Sequence, residues 1–112
     1  VRESSGQACG FLRVVPGWEQ APVALHVVDW AEDPEPVTLA LRREAVPQHA
    51  APTAALLRTP APYDADQHRM AEQTGRYGGL VEEREVEMRE SSQEISLRLP
   101  AANPWSIVVL QW

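Results

Sequence analysis

Apolar and polar residues alternate with a period of two along most of this chain, and almost nowhere with the period of a helix. In Val23–Asp29, Val23, Leu25 and Val27 share one parity while Ala24, His26 and Val28 take the other. That weak contrast between faces marks a central strand. After the breaker Asp33-Pro34-Glu35-Pro36, Val37, Leu39 and Leu41 alternate with Thr38, Ala40 and Arg42, so the two runs read as a hairpin. Ile95, Leu97 and Leu99 alternate with Ser96 and Arg98, and Ser91-Ser92-Gln93 ahead of them suits a hairpin turn. A first strand over residues 11–15 ends at Pro16-Gly17, where proline presets one φ and glycine tolerates the positive one.

Residues 54–58 form a short strand that stops at Thr59-Pro60. Residues 80–90 contain good helix formers, but Val86 and Met88 are two apart with Arg84 on their parity. Glu83, Glu85 and Glu87 take the other side, which predicts a strand with one solvated face. Residues 105–112 follow the breaker at 100–104 and are rich in β-branched residues, as expected of a closing strand covered on both faces. Residues 43–52 read as a connection, and residues 61–79 as one long loop without sustained apolar periodicity. The sum is an all-β chain, an antiparallel β-sandwich of roughly seven to eight strands without an amphipathic helix.

Length and composition fit one such domain spanning residues 1–112. A chain of 112 residues buries roughly two-thirds of its unfolded surface, so it needs neither disulfide nor metal to fold. Cys9 stands alone, which excludes an internal disulfide. The net charge of −6, with scattered arginines and no lysine, argues against nucleic acid as a partner. No apolar run reaches bilayer length, so no membrane span is expected. A start at Val1, with neither an initiator methionine nor a signal-peptide pattern, reads as a fragment of a longer chain.

Candidate chemistry is sparse. Asp64, Asp66 and His68 are two apart in the long loop and would point the same way if it were extended, but an acidic loop of this kind is usually just solvated. His26 lies between apolar strand residues, Cys9 has no recognisable partner, and no serine sits in a strand–elbow–helix context. Asp29, Glu32, Asp33 and Glu35 crowd one turn, whereas glycoside hydrolysis needs two carboxyls facing across about 5 to 9 Å. The sequence therefore predicts no catalytic residue, metal or cofactor in this chain. The aromatic residues Trp18, Trp30, Tyr63, Tyr77, Trp105 and Trp112 are the candidates for contact. They would either pack at the ends of the core and against a neighbouring domain or, exposed in a row, stack on sugar rings.

Residues 99–110, Leu-Pro-Ala-Ala-Asn-Pro-Trp-Ser-Ile-Val-Val-Leu, resemble the last strand of the C-terminal β-sandwich that follows the TIM barrel in many glycoside hydrolases. Residues 24–30, Ala-Leu-His-Val-Val-Asp-Trp, with residues 36–41, also look like that domain's His-Leu-Val-Asn-Tyr strand and its partner; Asp29 and Trp30 replace Asn and Tyr. The resemblance implies a non-catalytic accessory domain that packs against and stabilises the catalytic barrel of the same polypeptide or complex. That family's catalytic glutamates lie on the barrel, so none is carried over. A carbohydrate-binding module and an immunoglobulin- or fibronectin-like interaction domain are the alternatives.

Overall fold

The computed structural model describes every residue except Ser4, Ser5, Pro34, Gln48, His49 and residues 101–104. The turn expected at 100–104 thus lies largely outside the described residues, as do parts of the 33–36 breaker and the 43–52 connection. Among the described residues the strands are β1 (Arg2–Glu3), β2 (Ala8–Arg13), β3 (Val23–Asp29), β4 (Val37–Arg42), β5 (Ala54–Pro60), β6 (Val81–Glu85), β7 (Glu87–Glu90), β8 (Glu94–Leu99) and β9 (Trp105–Gln111). A helix, α1 (Ala65–Thr74), stands between β5 and β6. The strands form two antiparallel sheets, one ordered β1-β4-β8-β7 and the other β2-β3-β9-β5-β6. The chain is an antiparallel β-sandwich.

Alternation builds the interior. Val37, Leu39 and Leu41 of β4 and Ile95, Leu97 and Leu99 of β8 point inward from the smaller sheet. Val23, Leu25 and Val27 of β3, Ala55 and Leu57 of β5, and Val108 and Leu110 of β9 meet them from the larger one. The thinnest dimension, 20 Å, fits two sheets about 10 Å apart with an outward layer of side chains on each. Residues 15–18 close a turn in which the Trp18 N–H donates to the Val15 carbonyl at 3.2 Å, with Gly17 at φ 75°. This is the positive φ that Pro16-Gly17 led one to expect.

Three expectations need correction. The runs Val23–Asp29 and Val37–Arg42 do not form a hairpin. β3 pairs with β2 and β9, β4 with β1 and β8, and the breaker between them carries the chain from one sheet to the other. Alternation fixes which residues face inward but not which strand lies alongside.

The run at 80–90 is extended as expected but serves both sheets. β6 pairs with β5, Val86 donates its N–H to the Ala55 carbonyl at 2.9 Å and buries its side chain, and β7 then pairs with β8. Val86 is the corner at which a strand changes layers.

The loop at 61–79 contains α1. Asp64 caps it by accepting the N–H groups of Asp66 (2.9 Å) and Gln67 (3.1 Å), and Gly75 ends it in the left-handed conformation at φ 68°. Only Ala71 of the helix is buried, so no apolar stripe announced it.

At the free edge of the larger sheet, the Gly10 N–H, which faces away from β3, donates to Glu3 Oε1 at 2.9 Å. A Cβ at Gly10 would come within 3.0 Å of Val1 Cγ1, so this position favours glycine.

Leu97 is wholly buried between β4 and β7 on the inner face of the smaller sheet. Leu97→Ala is expected to cost about 3 kcal/mol of unfolding free energy in urea titration, as cavity-forming core truncations do.

Candidate docking surface

The outer faces of the two sheets differ in kind. On the smaller sheet, the positions facing out are Thr38, Ala40 and Arg42 on β4, Glu94, Ser96 and Arg98 on β8, and Glu87 and Arg89 on β7. Arg89 and Glu87 lie 3.4 Å apart there, so this face is polar and laced with charge. The larger sheet turns out Cys9 and Phe11 from β2, Ala24, His26 and Val28 from β3, Trp105, Ile107 and Val109 from β9, and Leu56 from β5. These residues are at least partly open to solvent, with Phe11 57% and Trp105 43% exposed. A continuous apolar band on a sheet face is the kind of surface that soluble domains keep for a partner.

The band lies where it does because β3, β9 and β5 are apolar on both parities, while the inner parity alone fills the core. The closing strand β9 runs between β3 and β5; one of its faces is buried in the core, and the other is half-covered. The rings of His26 and Trp105 lie 6.4 Å apart, tilted by 36°. At the β6 edge the apolar band ends in an ion pair, Arg58 Nε to Glu83 Oε2 at 2.6 Å. At the opposite edge it ends in the exposed Arg13.

The six aromatic candidates divide between the two ends of the larger sheet. Trp105 begins β9 opposite Val28. Trp30, 55% exposed, follows β3 at the same end, where its N–H donates to the Gln7 carbonyl at 2.9 Å and prolongs the ladder. Tyr63 and Tyr77 flank α1 beyond the Pro60–Val81 pair, also at that end. Both are exposed, and the Tyr63 ring sits 4.9 Å from that of His68. Trp18 is exposed in the β2–β3 turn at the far end. Trp112 is half-buried against the core, and its Nε1–H donates to the Ala50 carbonyl at 2.6 Å. The structure therefore brings the exposed Trp30 and Trp105 to one end of the larger sheet and packs Trp112 against the core.

Asp64 and His68 are not aligned along an extended loop. Asp64 caps α1 and His68 lies within it, and no group of three His, Cys, Asp or Glu side chains among the described residues is arranged to hold a metal ion. The carboxylates at the end of β3 and after it differ in exposure and bonding. Asp29 is only 4% exposed and its Oδ1 accepts the Ala31 N–H at 3.0 Å. Asp29 also lines, with Asp33 and Glu35, a cleft of about 410 Å³ closed by Gln7, Ala31, Pro36 and Val37.

Phe11, Ile107, Val109 and Leu56 make up much of the outer face, though none is among the tryptophan and tyrosine candidates of the sequence. For Ile107 and Val109 the signal lies in the double-sided apolar run of β9. Comparison of the chain with protein-family models, curated proteins and solved structures finds no match.

The Ala50 carbonyl also accepts Arg43 Nη2 at 3.2 Å, so two long side chains converge on that one carbonyl. Trp112→Phe removes one of these donors and should lower stability by about 1 kcal/mol in urea titration. Trp18→Phe, at an exposed turn, should stay within about 0.5 kcal/mol of the parent.

Proposed function

We propose that this chain is a non-catalytic accessory β-sandwich domain that works by burying the outer face of its five-stranded sheet against a larger partner, the catalytic barrel of a glycoside hydrolase. The observation that carries the docking role is the contrast between faces: an apolar band across β2, β3, β9 and β5 on one side, Arg, Glu, Ser and Thr on the other. Burying apolar area at roughly 25 cal/mol per Å² favours covering the first and leaves the second in water. The choice of partner is supported by the resemblance, which falls on β3, β4 and β9, two of them strands that supply this band. In a barrel enzyme carrying this domain, Ile107→Asp would place a charge in the middle of the contact. Its thermal midpoint should fall by several degrees while kcat/KM of the barrel is retained, and an unchanged midpoint would argue against docking through this face.

One observation favours a second reading, carbohydrate binding: Trp30 and Trp105 are both exposed at the same end of the larger sheet. Flat indole rings suit the C–H faces of pyranoses. On that reading the chain is retarded on an insoluble polysaccharide and the double substitution Trp30→Ala, Trp105→Ala elutes with the void. Parent chain that elutes unretarded from cellulose, xylan and starch columns would remove this reading.

A further inference from the structure

The strand register fixes which side chains share a row across the exposed face. One row reads Phe11, His26, Ile107, Arg58, Glu83 from the β2 edge to the β6 edge, and the next reads Arg13, Ala24, Val109, Leu56, Glu85. β9 is the middle strand. The second row is cationic at one edge and anionic at the other, with a small residue and a large one at equal distances on either side of Val109.

We infer that in the free domain this face pairs with a second copy of the chain about a two-fold axis running along β9. Such an axis sets each position against its counterpart on the other side of the middle strand. Arg13 then meets Glu85 of the second copy, Ala24 meets Leu56, and Ile107 and Val109 meet themselves. Opposite charges come together at both edges, and small side chains receive large ones. In the other row, Phe11 lies over the Arg58–Glu83 pair of the second copy, and His26 faces an Arg58 whose charge Glu83 already offsets. The two-fold axis at right angles to the strands does the reverse, stacking Glu83 on Glu85 of the second copy. Like charges facing each other exclude it. The axis along β9 also leaves the strands of the two copies nearly aligned, the usual geometry of stacked sheets.

Five strands about 4.8 Å apart and three outward positions about 6.8 Å apart cover on the order of 500 Å² per copy. This is at the small end of specific interfaces, so the dimer is expected to be a reversible one. The inference rests on reading this face as a docking surface, and the second copy and a barrel exclude each other there.

The test is sedimentation equilibrium of the 112-residue chain from about 1 µM to 1 mM at low ionic strength, where unscreened charges act most strongly. The parent chain should dimerise. Arg13→Glu and Glu85→Arg should each weaken the dimer about tenfold, and the double variant should return to within about threefold of the parent by restoring the pair with its signs exchanged. Both side chains are exposed, so the variants keep the fold, which far-ultraviolet spectra verify. A chain that stays monomeric throughout overturns the inference, as does a dimer indifferent to the single changes or a double variant no tighter than either single one. A monomer whose barrel enzyme still loses stability with Ile107→Asp defeats the dimer alone. A dimer accompanied by no such loss defeats the barrel docking alone.

Discussion

The whole structure rests on two sheets having to face each other with their apolar sides, since neither can leave that side in water. Every strand that fills the interior does so with every second residue: Leu39 and Leu41, Ile95 and Leu97, Leu25 and Val27, Val108 and Leu110. A shift of one residue in any of these pairings would turn the buried set outward, so register and core determine each other. The chain also passes covalently from one layer to the other, after Asp29 and again at Val86. The two layers are thus tethered at several points.

The same arithmetic explains why the two outer faces differ. On β4 and β8 the residues not needed for the interior are Thr38, Arg42, Ser96 and Arg98, and a solvated face results. On β3 and β9 they are Ala24, Val28, Ile107 and Val109, and the result is a second apolar surface. A central strand flanked on both sides has no use for such residues within a two-layer sandwich. On the proposed docking role, its apolar outer parity is what a further layer would cover.

Inward-facing residues were legible in the sequence because alternation is a local property. Val23–Asp29 and Val37–Arg42 match their strands to the residue, and the Pro16-Gly17 turn is where proline and glycine chemistry put it. Pairing was not legible, because β3 and β4 carry the same alternation whether they lie side by side or face each other. α1 was missed for a different reason. It buries only Ala71, so its evidence lay in the Asp64 cap, Gln67 three residues on and Gly75 at its end, signals that a search for apolar periodicity does not weigh. The aromatic candidates stand out in the sequence by residue type alone. Type found Trp30 and Trp105, but only the register could say that Phe11 and Ile107 lie in the same surface while Trp112 turns toward the core.

The carboxylate of Glu3 on the Gly10 N–H has a consequence for how this molecule can associate. An unpaired strand margin invites extension by another chain, and repetition of that step grows without end. Here one margin has a donor already taken by an acid from the same molecule, and the other, β6, carries Glu82, Glu83 and Glu85. Lateral polymerisation is discouraged at both flanks. If the larger sheet pairs broadside as proposed, that contact ends after one addition and favours an assembly of fixed size over fibres.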